Sequence, residues 1–153
     1  MKIIVNEIKE IEKIVEHVHD RFFWLEKVLF QEADKILKIP TSVLSDETIV
    51  KKRWILSKRK VEIIYAELLI HNVHDYKIVD DAGIGVGDID QIFLKNELIL
   101  CIKCGLPIYI DINISGIFLE LNISDQVLES VEYVIYPFSV SRLNPKEFSQ
   151  KEK

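Results

Sequence analysis

Between Ile108 and Ile123 apolar and polar residues alternate with little interruption. Ile108, Ile110, Ile112 and Ile114 are separated by Tyr109, Asp111 and Asn113. After Ser115-Gly116, Ile117, Leu119, Leu121 and Ile123 are separated by Phe118, Glu120 and Asn122. A period of two places one set of side chains on each face of an extended chain, which is the pattern of strands with one dry face and one wet face. The rest of the chain has the residues to continue it. It contains 25 Ile and 14 Val against 3 Ala. Branching at Cβ stiffens a side chain and suits a pleated surface, so this balance disfavours a helical bundle. With 48% apolar residues and only 5 Gly and 4 Pro in 153 positions, the chain has enough apolar surface to offset the entropy of ordering.

The expected architecture is mostly β, of the α+β class: an antiparallel sandwich or open barrel of about eight strands behind one amphipathic helix. The helix is expected over about residues 3–18, where Ile4, Ile8, Ile11, Val15 and Val18 recur at helical spacing among Lys and Glu. Strands then fill about 21–138. Gln31 to Asp34, Ser57 to Lys60 and Lys95 to Glu97 read as turns, and Ser45 to Lys52 as a polar connection. Pro40 implies an edge or the end of pairing. The run from Val61 to Val79 fits both periods over its first ten residues, and its Ile, Val and Tyr content favours strand. Asp80 to Gly87 is a glycine-bearing loop, and Ser115-Gly116 reads as a hairpin turn in which Gly supplies a positive φ. One domain is expected over 1–140, with a polar tail over 141–153.

Two cysteines do not make a disulfide scaffold in a chain of this size. With an N-terminus that becomes charged after four residues and no long apolar run, the expected setting is the cytoplasm, with no membrane contact. Cys101-Ile-Lys-Cys104 has zinc-knuckle spacing, and His71 and His74 are the residues that would complete four ligands. In a strand, however, residues three apart point to opposite faces, and two small buried hydrophobes are the competing account. Gly83-Ile-Gly85-Val-Gly87 departs from both the dinucleotide and P-loop patterns. Its flanking Asp80, Asp81, Asp88 and Asp90 repel phosphate and are of the kind that hold calcium, although no EF-hand spacing is present. His17, His19, His71 and His74 fall into no catalytic pattern with a nucleophile, so no enzyme and no cofactor are expected.

Charge is distributed unevenly. Residues 51–60 carry six basic side chains and no acid, whereas residues 61–140 carry 13 acids against 3 bases. Lys51 to Lys60, with Trp54 available to stack on a base, is therefore the one candidate nucleic-acid contact on an otherwise acidic chain. The acidic side chains Asp80, Asp81, Asp88, Asp90, Asp111 and Glu120 are the candidates for binding a basic protein partner. Homodimerisation through a sheet edge is compatible with either reading.

Val18-His19-Asp20 running into Phe22–Phe30, Leu69-Ile-His-Asn-Val-His-Asp-Tyr76 and the alternating run from Asp88 to Asn122 together resemble a group of small bacterial proteins. That group includes immunity proteins of polymorphic-toxin systems. The resemblance covers about residues 15–125 and implies a non-enzymatic protein that binds and blocks a cognate toxin. A metal-binding module or metal-dependent enzyme using His71, His74, Cys101 and Cys104, and a nucleic-acid contact through Lys51 to Lys60, are the alternatives.

Overall fold

A computed structural model describes residues 1–53, 56–136 and 139–142. The protein is mostly β, with one short N-terminal α-helix, as the composition predicts. The strands among the described residues are β1 (Lys2–Val5), β2 (Phe22–Trp24), β3 (Leu29–Gln31), β4 (Ile36–Leu44), β5 (Thr48–Arg53), β6 (Leu56–Ile70), β7 (Val73–Val79), β8 (Val86–Asn96), β9 (Ile99–Cys104), β10 (Tyr109–Ile114), β11 (Leu119–Tyr136) and β12 (Ser139–Arg142). The helix α1 is Glu12–Val18. One sheet runs β1-β11-β6-β4-β3, with β5 added to β6 and β12 to β11. The other runs β2-β8-β9-β10-β7. The chain divides into two compact units, Met1–Val43 with Tyr65–Ser124 and Leu44–Ile64 with Asp125–Lys153.

The larger unit is a sandwich built on the alternation read in the sequence. Ile108, Ile110, Ile112 and Ile114 are at most 2% exposed, and so are Ala66, Leu68 and Ile70 on β6 and Leu119 and Leu121 on β11. Tyr109 and Asn113, in the alternate positions, are exposed. Each such Ile or Leu withdrawn from water contributes about 1.5–3 kcal/mol. Helix α1 adds Ile14, Val15 and Val18 to this core. The helix stops where Asp20 takes the left-handed conformation (φ 62°), which Asp adopts at smaller cost than most residues.

The first half of the expected helix is not helical. Lys2–Val5 is a strand paired antiparallel with Leu119–Asn122, followed by a 3-10 turn over Ile8–Glu10. Ile4 is consequently 48% exposed and Val5 is fully buried. The branched run Ile-Ile-Val gains ladder hydrogen bonds from β11 that an isolated first helical turn lacks, and the helical stripe begins only at Ile11. The expected turn at Ser57 to Lys60 and the polar connection at Ser45 to Lys52 are corrected together. They form the two arms of a hairpin, with Thr48 opposite Lys60 and Arg53 opposite Leu56.

Ser115-Gly116 closes no hairpin. β10 lies between β9 and β7, whereas β11 pairs with β1 and β6 in the other sheet. Left-handed φ values among the glycines belong to Gly83 and Gly85. The crossing is held by backbone bonds from Ser115 N to Asn72 O and from His71 N to Phe118 O. Alternation fixes which side chains face the core and leaves the pairing partner open, so two consecutive strands serve the same core from opposite sheets. The long run from Val61 is a strand, as its composition favours, but it breaks at Asn72 (φ 60°) between β6 and β7. Pro40 lies inside β4, two residues past Lys38, the last residue that pairs with β3.

The smaller unit contains the β5–β6 hairpin, the distal part of β11 and β12. Lys58 Nζ lies 3.1 Å from Glu132, and Arg59 and the Tyr133 hydroxyl both reach Glu47. These cross-strand pairs explain how so polar a run, Ser57 to Lys60, is held in a sheet. Ser139–Arg142, which reaches into the expected polar tail, pairs with β11, with Tyr133 opposite Arg142.

Gly87 shows how closely β8 and β9 approach. A Cβ added there would lie 2.9 Å from Cys104 Sγ and 3.0 Å from Phe23 Cζ. Gly87→Ala is expected to destabilise the protein by about 1–3 kcal/mol, the usual cost of an overfilled core. Chemical denaturation measures it, and an unchanged midpoint would contradict the packing described.

Candidate functional site

The acidic residues expected to form one binding face are divided between the two sheets and largely engaged within the protein. Asp80 accepts hydrogen bonds from Ile84 N at 2.9 Å and Gly85 N at 2.8 Å, closing its own loop around Gly83 and Gly85. Asp88 accepts from Leu106 N at 3.0 Å and so ties β8 to the β9–β10 turn. Asp90, at the extra residue where the β8–β9 register shifts, lies 3.2 Å from His19 Nε2. Lys95 Nζ donates to Asp111 Oδ2 at 2.8 Å across the outer face of the second sheet. Glu120 is in the other sheet on β11, where Lys2 lies at 3.5 Å and His71 Nε2 at 3.1 Å. The expectation that Asp111 and Glu120 share a hairpin is therefore corrected. Asp81 is exposed and borders a shallow depression of about 250 Å³ with Val79, Lys103, Leu106 and Tyr109.

Cys101 and Cys104 are both buried, and they serve opposite faces of β9. Cys101 stands opposite Phe93 and Asp111, under the Lys95–Asp111 pair, while Cys104 packs inward against Gly87 and Phe23. The extra residue of the bulge is in β8, so alternation along β9 is unbroken. Burial pushes the Cys101 thiol up to about 11, with the Asp111 carboxylate adding to the effect. Burial, with Asp88 nearby, pushes Cys104 to about 12. A metal ligand needs the thiolate, so these environments oppose the chemistry that the spacing invites. His71 stacks edge-on against Phe118 at 4.5 Å, and His74 is exposed on β7. Among the described residues no three or more His, Cys, Asp or Glu side chains are grouped to hold a metal ion.

The basic segment is likewise engaged. Lys58, Arg59 and Lys60 meet Glu132, Glu47 and Glu62, three acids drawn from β11, the chain before β5 and β6 itself. The Arg59 guanidinium and the Tyr133 hydroxyl both donate to Glu47 and hold its carboxyl below the usual range. Charge counted along the chain thus overstates what a phosphate backbone would meet. Trp54, on which base stacking would depend, lies outside the described residues.

Among the described residues, the most exposed aromatic surface lies instead on β2. Phe22 is 58% and Trp24 59% exposed, whereas Phe23 between them is buried. Phe22 stands opposite Asp88 and Trp24 opposite Val86. Leu106, whose N–H donates to Asp88, is 36% exposed, and Ile84 within the Asp80 loop is 39% exposed. β2 itself is fixed from both sides. Thr41 Oγ1 donates to Phe22 O at 2.9 Å, and Leu25 N donates to Gly85 O at 3.0 Å. The signal was present in the sequence. In Phe22-Phe23-Trp24 a strand must turn either the middle ring or the outer two to the core, and here the outer two face water.

The buried thiols carry a pH consequence. Their folded values exceed the ordinary 9.0, so their contribution to stability is complete below about pH 9 and is lost as pH rises toward 11–12. Tyr65 and Tyr133 are also raised, but from 10.0, so they enter later. Urea midpoints are expected to fall between pH 9 and 10, and Cys101→Ala/Cys104→Ala should flatten that portion of the curve. A double variant with the same slope as the parent would refute the assignment. At pH 8 the native thiols should resist a disulfide reagent that labels both in denaturant.

No helix among the described residues is long and apolar enough to cross a membrane. No protein-family model, curated protein or solved structure matches this chain.

Proposed function

We propose that this chain is a non-enzymatic, cytoplasmic protein-binding module that uses the Phe22/Trp24 end of its second sheet as the contact surface. The observation that carries the reading is the pair of aromatic rings more than half exposed on a strand anchored on both sides. Aromatic residues are enriched at the centres of protein interfaces because they withdraw a large area from water with few rotatable bonds to order. A rigid strand presenting them lowers the ordering cost further. The resemblance to immunity proteins supplies the kind of partner: a toxin neutralised by occlusion. The acidic chain supports fast approach of a basic partner, and the apolar rings support its retention.

The contribution of the rings is separable from that of the charges. From a lysate of the native cell, the tagged protein is expected to retain one protein partner at low salt and to keep a reduced share of it at high salt. Trp24→Ser should weaken retention about thirtyfold, which corresponds to about 2 kcal/mol for a central aromatic. Because the ring is exposed, the thermal midpoint should stay unchanged. Retention that is indifferent to Trp24→Ser, or the absence of any protein partner at either salt concentration, would overturn the proposal.

A further inference from the structure

Resting on that protein-binding reading, we propose that the β2 surface is a shelf for the side chain of an arginine or lysine projecting from the partner. The rings of Phe22 and Trp24 form its floor, and the carboxylates of Asp20, Asp88 and Asp90 form its wall. Phe22 and Asp88 are direct cross-strand neighbours, a relation that sets Cβ atoms about 4.5–5.5 Å apart. Asp20 N donates to Ile89 O at 2.7 Å and Ile89 N to Arg21 O at 3.0 Å, so the same ladder continues and brings Asp20 beside Asp90. Trp24 and Phe22 are two residues apart on β2, about 6.6 Å along a strand, and Asp20 lies in the left-handed turn just before it. Each ring thus has the Asp88 carboxylate as its direct or diagonal cross-strand neighbour, with Asp20 and Asp90 continuing the wall beyond Phe22.

The charge at this surface is not cancelled. Asp88 is bonded to a backbone N–H, which leaves its negative charge intact. Asp20 and Asp90 share a single histidine: His19 Nδ1 lies 3.3 Å from Asp20 Oδ2, and Nε2 lies 3.2 Å from Asp90 Oδ1. The second oxygen of each has no partner among the described residues. Arg21, the one cation inside the segment, turns away and donates to Ser42 Oγ at 3.1 and 3.0 Å. A cation within about 6 Å of an indole or phenyl face is attracted by the ring quadrupole, and a flanking carboxylate adds directional hydrogen bonds. A purely apolar occupant would forgo the carboxylates, and an acidic one would be repelled by them. The complementary chemistry is cationic.

Three blocked pentapeptides test this, Gly-Arg-Gly-Arg-Gly with its lysine and leucine counterparts, each titrated into the full chain carrying Trp54→Phe, which leaves Trp24 as the only indole. The arginine and lysine peptides are expected to give a saturable change in Trp24 emission that weakens with salt, and the leucine peptide none. By amide chemical shifts, Trp24→Leu and Asp20→Asn/Asp90→Asn should each weaken arginine-peptide binding about tenfold. Asn keeps the acceptor that His19 uses, so the fold is preserved. Equal binding of leucine and arginine peptides, absence of binding by any of them, or binding unchanged by Trp24→Leu would overturn the shelf. Partner retention in the Trp24→Ser experiment would then judge the broader surface separately.

Discussion

The structure depends on one constraint, the two-residue alternation of branched apolar side chains that gives the larger unit a shared core between two sheets. Ile110 and Ile112 on β10, Leu119 and Leu121 on β11 and Leu68 and Ile70 on β6 are all completely buried. Because every one of these strands presents its dry face to the same interior, a one-residue slip in any of them would exchange buried Ile and Leu for Asp, Asn or Glu. Register is therefore held strongly, and irregularities are confined to places where the core can absorb them. Gly87 is such a place. The β8–β9 crossing is close enough that only a hydrogen fits between the backbone and Cys104.

The breaks in alternation fall on residues that tolerate unusual backbone. Among the described residues, Asp20, Lys35 and Asn72 are the non-glycine residues with left-handed φ, and each ends an element: α1, the β3–β4 turn and β6. Asp and Asn visit this region with little penalty because their short side chains bond locally. The Asp80 loop follows the same principle with glycine. Asp80 gathers the N–H groups of Ile84 and Gly85 while Gly83 and Gly85 supply the positive φ. An acid that reads as solvent-facing in a list of charges is here part of the loop's internal bonding.

What was legible follows from the range of each signal. Periodicity is local, so the strand character of β8 to β11 and the helical stripe from Ile11 onward could be read directly. Pairing is non-local, which is why Ser115-Gly116 reads as a hairpin and proves to be a crossing between sheets. The polar hairpin of Thr48 to Lys60 was hidden for a different reason. Its strands lack an apolar stripe and are held by ion pairs to Glu47, Glu62 and Glu132, the last of them far along the chain on β11. Opposite-face placement of Cys101 and Cys104 was legible, because three steps along an unbroken strand change faces whatever the strand pairs with.

The same distinction governs the candidate site. Counting charge along the chain separates a basic decapeptide from an acidic body, but folding brings the two signs together within the hairpin and leaves Lys58, Arg59 and Lys60 paired with acids. Asp88 is bonded to a backbone amide, and the two carboxylates of Asp20 and Asp90 have a single imidazole between them. Those three acids are the ones nearest the exposed rings of β2 in the ladder. Exposed apolar area alone would mark a surface without saying what it meets. Uncancelled charge alone would mark a solvated face. Their coincidence on one anchored strand is more selective than either, because an occupant must supply both a long hydrocarbon stem for the rings and a positive end for the carboxylates.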